Sequence, residues 1–234
     1  MTRAIILAGG LGKRLRSVIS GLPKPMATIN GKPFLAYQIE QLKSFGISHV
    51  VLSIGYLGDL IMDYFKDSYN GIPITYAIEK EQAGTGGGML LSMEKLGINE
   101  SFLLMNGDTY FDFNFHLLAQ LHEKSEAGIT TTLLRAKITE RFDRVRITDE
   151  NRVISFGPEK ASFNELANAG AYMIDPMVIK RYYKYRGKEI SLEKEIFPSL
   201  LRAGESVFGL VGNGDFVDIG VPEDYYLASK MLRN

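Results

Sequence analysis

Short apolar segments alternate with longer amphipathic segments through the first half of the chain. The apolar runs at residues 4–7, 49–54, 74–78 and 102–105 predict buried strands. Between them, residues 34–45 and 56–65 have helical patterns, the first preceded by Pro33 and followed by Gly46. This alternation favours βαβ units and a mainly parallel sheet.

The second half of the chain has a different pattern, in which strand-like segments follow one another. These segments predict strands at residues 129–134, 145–148, 153–156, 169–174 and 207–210. Residues 149–151 (Asp-Glu-Asn) predict a hairpin turn, and Pro222 opens a predicted helix over residues 222–231. The two halves together indicate one α/β domain over residues 1–234, with a mixed sheet.

Composition excludes several classes of function. Lys plus Arg and Asp plus Glu are equal at 27 each, so no global charge indicates a nucleic-acid or membrane partner. Cysteine is absent, which excludes disulfides, thiolate metal sites and a cysteine nucleophile. No apolar run reaches the roughly 18 residues of a membrane span, and the N-terminal run is too short for a signal peptide. These features predict a cytoplasmic protein.

A glycine-rich loop, Gly-Gly-Leu-Gly-Lys-Arg at residues 9–14, follows the first predicted strand directly. Glycines allow backbone N–H groups to approach an anion, and Arg14 can place two donors on phosphate oxygens. Leu15 replaces the third glycine of a dinucleotide fingerprint, and no Ser or Thr follows Lys13 as a P-loop requires. The loop therefore suits a triphosphate, with a plain strand-to-helix turn as the alternative.

Lys24 lies between Pro23 and Pro25. The two prolines predict extended backbone around this lysine and a rigidly presented ammonium group. A solvated lysine in a stiff loop is the alternative.

Two aspartates follow predicted strands far apart in the sequence. Asp108 ends the sequence Asn-Gly-Asp after the fourth strand, and Asp218 ends another β-rich run. Ligands of open α/β sheets bind at the carboxyl ends of strands, and Mg²⁺ prefers carboxylate and phosphate oxygens. A magnesium site is one interpretation of the pair, and turn-forming or helix-capping aspartates are the other.

A second glycine-rich segment begins after the third strand. Four of the five residues 84–88 are glycines, a composition that predicts a loop and close backbone approach rather than a helix. Glu79 stands at the start of this segment, and its carboxylate only accepts hydrogen bonds. Guanine offers two adjacent donors, N1–H and the 2-amino group, whereas uracil and thymine offer one. Glu79 therefore favours GTP as the nucleotide.

Taken together, these motifs resemble the signature of the sugar nucleotidyltransferase (nucleotidyl-sugar pyrophosphorylase) family. The matches are Gly-Gly-x-Gly-x-Arg-Leu, Pro-Lys-Pro-Met, Asn-Gly-Asp and Asp-Ile-Gly-x-Pro-Glu-Asp-Tyr, in that order over residues 4–228. The resemblance implies a single-domain Rossmann-like α/β three-layer sandwich of the nucleotide-diphospho-sugar transferase type, with a mixed, mainly parallel central sheet. It further implies a nucleotide-binding half at about residues 1–115 and a sugar-binding half at about residues 116–234.

The resemblance also implies roles for individual residues. The expected catalytic residues are Arg14, Lys24, Asp108 and Asp218, with Mg²⁺ held by the two aspartates. The expected nucleotide contacts also include Leu7, Ala8, Gly9, Gly10, Gly12, Glu79, Gly84, Thr85, Asn106 and Gly107. The expected sugar-phosphate contacts are Lys160, Asn168, Gly170 and Glu193. Ala83 and Phe216 stand where the family usually has leucine and tryptophan. Pro158 comes before a Glu-Lys pair, whereas in the family a proline more often comes after this pair.

The implied reaction is attack by a sugar 1-phosphate oxygen on the α-phosphorus of a nucleoside triphosphate, with release of pyrophosphate. The second glycine segment and the chain length most resemble guanylyltransferases that use D-glycero-α-D-manno-heptose 1-phosphate and supply GDP-heptose for surface polysaccharide. Transfer of guanylyl, uridylyl or thymidylyl groups to mannose, glucose or aminosugar 1-phosphates is the alternative. A catalytically silent nucleotide-sugar-binding homologue and an NAD-binding oxidoreductase are alternatives of other classes. The sequence leaves open whether the chain forms a homo-oligomer.

Overall fold

The computed structural model describes residues 2–10, 21–97, 99–137 and 142–232. The strands are β1 (Arg3–Leu7), β2 (Thr28–Ile29), β3 (Lys32–Pro33), β4 (His49–Ile54), β5 (Ser68–Tyr69), β6 (Ile72–Ile78), β7 (Phe102–Asn106), β8 (Thr109–Phe111), β9 (Ile129–Arg135), β10 (Asp143–Ile147), β11 (Val153–Lys160), β12 (Leu166–Ile174), β13 (Val207–Val211) and β14 (Phe216–Asp218). The α-helices are α1 (Phe34–Ser44), α2 (Gly58–Phe65), α3 (Gly84–Leu96), α4 (Phe115–Lys124), α5 (Pro176–Ile179), α6 (Phe197–Arg202) and α7 (Pro222–Met231). Residues Lys24–Met26 and Lys180–Tyr185 form 3₁₀ turns, and Leu192–Ile196 forms a π-helical turn.

A mixed sheet forms the centre of the fold. Its strand order is β11-β10-β12-β7-β1-β4-β6-β5, and β9 joins β12 to β13. Strands β7, β1, β4 and β6 are parallel, whereas β12 runs antiparallel to β7. Leu7 at the end of β1 lies opposite Asn106 at the end of β7, so the loops after both strands emerge at one edge of the sheet.

Side chains of the central strands alternate between two apolar layers. Ala4 and Ile6 of β1 pack in a cluster with residues of α1 and α2, whereas Ile5 packs in a second cluster with residues of α3 and α6. This alternation follows from the two-residue period of a strand. The predicted α/β three-layer sandwich with a mixed, mainly parallel sheet is confirmed.

Each predicted strand and helix overlaps an observed one, and the hairpin turn at residues 149–151 joins β10 to β11. The prediction of a loop over residues 84–88 is wrong, because these residues form the first turns of α3. Gly84 and Gly87 lie against the backbone of residues 188–190, and Gly88 lies against the side chains of Ser53 and Glu79. Met89, Leu90 and Met93 of the same helix are buried in the core. Helix α4 was not predicted, although Asn114 caps it by accepting a hydrogen bond from the Leu117 amide at 3.0 Å.

The glycines of α3 make room for the chain segment at residues 188–190. A Cβ atom at Gly87 would overlap the carbonyl oxygen of Lys188, and one at Gly84 would lie 2.7 Å from the carbonyl oxygen of Ile190. In return, the Gly86 amide donates to the Ile190 carbonyl at 2.9 Å, and the Ile190 amide donates to the Ala83 carbonyl at 3.0 Å. A glycine-rich helix is therefore a docking surface for a segment from the second half of the chain.

We expect Gly87→Ala to lower the free energy of unfolding by about 2 kcal/mol, because the added methyl group forces residue 188 away from the helix. An uncrowded helical glycine would respond in the opposite direction, since alanine there stabilises by about 1 kcal/mol. Urea denaturation of the variant and the wild type measures the sign. A variant as stable as the wild type would contradict the proposed docking role of the glycine.

Candidate active site

The Asn-Gly-Asp turn after β7 crosses the end of β1. The Gly107 amide donates to the Leu7 carbonyl at 2.9 Å, and a Cβ atom at Gly107 would lie 2.5 Å from the same oxygen. Glycine is therefore required for this close backbone approach. The turn places Asp108 at the carboxyl edge of the sheet, as the sequence predicted.

Asp218 is brought beside Asp108 by a short antiparallel strand pair. Asp218 of β14 lies opposite Thr109 of β8, and the Ile219 amide donates to the Asp108 carbonyl at 3.0 Å. The Lys24 ammonium lies between the two carboxylates, 2.6 Å from Asp108 Oδ2 and 3.4 Å from Asp218 Oδ1. Three residues that are up to 194 positions apart thus form one ionic cluster.

Lys24 is not the solvated lysine of the alternative interpretation, because its side chain is only 9% exposed. The predicted extended backbone is found at Pro23 but not at Lys24, which begins a 3₁₀ turn. Two backbone hydrogen bonds close this turn, from Met26 to Pro23 and from Ala27 to Lys24. These two hydrogen bonds outweigh the usual preference of a residue before proline for extended backbone. The cost of burying the ammonium group is offset by its contacts with the two carboxylates.

The chemistry of the cluster fits a divalent cation. Asp108 and Asp218 converge on one positive group. A Cβ atom at Gly220 would lie 2.8 Å from Asp218 Oδ1 and 3.1 Å from Lys24 Nζ, so only glycine leaves the space beside these two atoms open. Among the described residues no group of three or more His, Cys, Asp or Glu side chains could hold a metal. The remaining ligands would be phosphate oxygens and water, as is common for Mg²⁺.

A cavity of about 270 Å³ opens beside Asp108. Its lining contains most of the predicted nucleotide contacts, namely Leu7, Gly9, Gly10, Lys24, Glu79, Gly84, Thr85, Asn106 and Gly107, and also the predicted metal ligand Asp108. Pro25 and Gln82 also line it and were not predicted, whereas Ala8 does not line it. Gly12 and Arg14 lie outside the described residues.

Glu79 lies at the wall of this cavity with each carboxylate oxygen already accepting one hydrogen bond. Ser53 Oγ donates to Oε1 at 2.7 Å, and the Ala83 amide donates to Oε2 at 3.2 Å. Burial raises the pKa of Glu79, and these two hydrogen bonds act against that rise. Cβ atoms at Gly9 and Gly88 would lie 2.5 and 2.8 Å from Oε1, so both glycines make room for the carboxylate.

A second cavity of about 230 Å³ adjoins the first. All four predicted sugar-phosphate residues line it, together with residues of the ionic cluster: Lys160, Asn168, Gly170, Glu193, Asp108 and Asp218. Asn106 and Asp108 line both cavities, so the two cavities meet at the Asn-Gly-Asp turn.

The sugar-side residues of β12 are exposed to this cavity by an irregularity in the strand. The register with β9 shifts between Asn168 and Tyr172, and Gly170 has a φ of +79°. A Cβ atom at Gly170 would lie 2.9 Å from Asn106 Nδ2, which explains the glycine. The carboxamide oxygen of Asn168 accepts from the Thr131 hydroxyl at 3.1 Å and from the Gly170 amide at 3.2 Å.

Lys160 also lines the second cavity. Its ammonium lies 2.5 Å from Asp143 Oδ1, and its side chain is 45% exposed. The ammonium has three donors, so it can contact Asp143 and a bound phosphate at the same time.

Sequence reasoning missed two glutamines of α1 that support the turn. Gln38 Nε2 donates to the carbonyl oxygens of Asn106 at 2.8 Å and Thr109 at 2.7 Å, one on each side of Asp108. Gln41 Nε2 donates to the Phe111 carbonyl at 2.6 Å. The sequence contained one sign of this role: the three-residue spacing of Gln38 and Gln41 places two amides on the apolar face of a predicted helix.

The family comparison agrees with the geometry. A family model described as "Nucleotidyl transferase" matches residues 3–234. The chain belongs to the nucleotidyl transferase family. The predicted family and enzyme class are therefore confirmed.

Two similar relatives of this nucleotidyltransferase carry the name D-glycero-alpha-D-manno-heptose 1-phosphate guanylyltransferase. The protein from Aneurinibacillus thermoaerophilus is 38% identical over 99% of this chain and 98% of its own length. The protein from Campylobacter jejuni is 39% identical over 96% of this chain and 97% of its own length.

Among solved structures, HddC from Yersinia pseudotuberculosis complexed with GMP-PN superimposes with a TM-score of 0.86. It is 29% identical, and the match covers 100% of both chains. In the ranges that the structure describes, this nucleotidyltransferase has no helix long and apolar enough to cross a membrane.

We expect Gln38→Met to lower the rate of pyrophosphate release by roughly tenfold, because the carbonyls that bracket Asp108 lose their shared donor. The matched control is Gln41→Met, which removes a similar buried amide one turn along α1 and should change the rate by less than about twofold. Rates at saturating substrate and urea denaturation of both variants measure the effect. Equal losses of rate at equal stability would contradict a special role for Gln38.

Proposed function

We propose that this nucleotidyltransferase transfers GMP from GTP to D-glycero-α-D-manno-heptose 1-phosphate, forming GDP-heptose and pyrophosphate. The observation that carries the proposal is the junction of two cavities at Asp108, one lined by the expected nucleotide residues and one by the expected sugar residues. The names of the two relatives and the bound ligand of HddC support the choice of substrates. The product would serve synthesis of a surface polysaccharide, and both substrates are expected in the cytoplasm.

The two cavities divide the substrates between the halves of the chain. The triphosphate occupies the first cavity and the sugar 1-phosphate the second, so their phosphates meet beside Asp108. A sugar phosphate oxygen then attacks the α-phosphorus in line, and pyrophosphate leaves. Because the attacking phosphate is already an anion, no general base is required, and positioning and charge neutralisation provide the catalysis.

The basic residues neutralise the charge that the two substrates bring together. Lys24 and Arg14 contact the triphosphate, and Lys160, whose ammonium also contacts Asp143, contacts the sugar phosphate. The two carboxylates and one ammonium of the ionic cluster leave a net negative charge beside an anionic substrate. This imbalance supports a Mg²⁺ ion held by Asp108 and Asp218, which when bound supplies positive charge to the phosphates.

Glu79 selects guanine in this proposal. Each carboxylate oxygen has one donor from the protein and retains capacity to accept another. The N1–H and 2-amino groups of guanine supply two adjacent donors, which also favour the ionised carboxylate over the protonated form. Uracil and thymine would leave one oxygen of a partly buried carboxylate without its second donor.

The test of function is a substrate matrix with Mg²⁺. Pyrophosphate release is measured for GTP, UTP, dTTP, CTP and ATP, each with heptose, mannose, glucose and N-acetylglucosamine 1-phosphates. We expect efficient release only for GTP with the heptose phosphate, and no release by Asp108→Asn. Release with another pair would replace the proposed substrates, and no release with any pair would favour the silent binding homologue.

We expect Glu79→Gln to lower kcat/KM for GTP by about 10- to 100-fold, because the carboxamide offers one acceptor where guanine needs two. The kcat/KM for UTP should change much less, so the GTP to UTP ratio falls. Ser53→Ala serves as the control, since it removes a donor to Glu79 and leaves the carboxylate in place. An unchanged GTP to UTP ratio in Glu79→Gln would remove Glu79 from base selection.

A further inference from the structure

We propose that Thr85, at the start of the nucleotide-side helix α3, positions the sugar-side carboxylate of Glu193. Thr85 is then a positioning residue for the sugar phosphate rather than a side-chain contact of the nucleotide. The proposal rests on the proposed function for the role of Glu193 in binding sugar hydroxyls.

Both hydrogen-bonding functions of the Thr85 hydroxyl are directed at the π-helical turn over residues 192–196. Its oxygen accepts from the Leu192 amide at 2.8 Å, and its single proton is donated to Glu193 Oε2 at 2.6 Å. A hydroxyl has one proton, so none remains for a nucleotide acceptor. Thr85 nevertheless lines the nucleotide cavity and Glu193 lines the sugar cavity, so this hydrogen bond links the two.

The other oxygen of Glu193 is held from the opposite side. The Tyr172 hydroxyl donates to Oε1 at 3.3 Å and accepts from Asn168 Nδ2 at 2.6 Å. Tyr172 is fully buried, and burial followed by the nearby Glu193 charge raises its pKa, so it remains a neutral donor. Ser191 Oγ adds a third donor, to Oε2 at 3.2 Å.

The backbone around Glu193 is also fixed to α3. The segment that precedes the π-helical turn docks on the helix through the Gly86–Ile190 and Ala83–Ile190 hydrogen bonds. The Ser191 amide donates to Glu195 Oε2 at 2.7 Å, which closes the start of the turn. With backbone and carboxylate both restrained, Glu193 presents its remaining acceptor positions to the cavity in one orientation.

A carboxylate held in this way is prepared to accept hydrogen bonds from sugar hydroxyls. Hydrogen bonds to charged groups are stronger than neutral ones, and a preorganised acceptor loses less freedom when the ligand binds. Removal of the Thr85 hydroxyl would free Glu193 Oε2 and leave the Leu192 amide without its acceptor. Removal of the Thr85 hydroxyl should therefore weaken binding of the sugar phosphate.

The test separates the two substrates. We expect Thr85→Val to raise the KM for the sugar 1-phosphate about tenfold, while the Kd for GTP, measured by titration calorimetry without sugar phosphate, changes less than about twofold. Thr85→Ser should restore most of the sugar-phosphate affinity, because it retains the hydroxyl. Ser92→Ala is the matched control, since it removes a buried hydroxyl of the same helix that donates only to the Gly88 carbonyl.

A double-mutant cycle tests whether Thr85 acts through Glu193. In a Glu193→Ala background, Thr85→Val should add less than about a twofold change in KM. An equal tenfold change in both backgrounds would overturn the proposal. A tenfold loss of GTP affinity in Thr85→Val, with unchanged KM for the sugar phosphate, would also overturn it and make Thr85 a nucleotide contact.

Direct binding keeps this test distinct from the test of function. If the wild type binds the sugar phosphate in calorimetry without turnover, the proposed function fails and the same variants are compared by Kd. The inference then stands on a tenfold weaker Kd in Thr85→Val, and falls if the Kd is unchanged. A wild type that binds none of the sugar phosphates would overturn both proposals.

Discussion

The site depends on one ionic arrangement, the ammonium of Lys24 between the carboxylates of Asp108 and Asp218. Two carboxylates that both lie within 3.4 Å of one nitrogen atom would repel each other if that nitrogen carried no positive charge. The lysine provides that charge in the protein, and the strand pair that sets Asp218 opposite Thr109 provides the geometry. This cluster lies where the two cavities meet, so in the proposed function both substrates are positioned relative to it.

Glycines allow several chain segments around this cluster to approach one another closely. Glycines in the Asn-Gly-Asp turn, in α3 and in β12 each lie where a Cβ atom would come within 3 Å of another group. Close packing at these points lets segments from distant parts of the sequence share one small volume. The arrangement explains how a single α/β domain can hold two adjoining cavities, lined by residues from both halves of the chain.

The sequence predicted the sheet and the position of Asp108 at its carboxyl edge because both depend on local patterns. Apolar runs marked the strands, and the spacing of Asp108 after a strand marked the edge. It failed at α3, because glycine propensity describes an isolated helix and the helix here is stabilised by packing against residues 188–190. The hydrogen-bond partners of Gln38 and Tyr172 could not be predicted, since only the tertiary fold brings these partners close.

The stereochemical course at phosphorus tests the central claim most directly, namely that two anionic substrates meet beside this cluster and react in one step. The measurement uses GTP with sulfur in place of one α-phosphate oxygen, in a single configuration, and determines the configuration of the nucleotide-sugar product. A single in-line displacement predicts inversion at the α-phosphorus. Retention would indicate two displacements through a covalent nucleotidyl-enzyme, and would contradict an account in which positioning and charge alone drive the transfer.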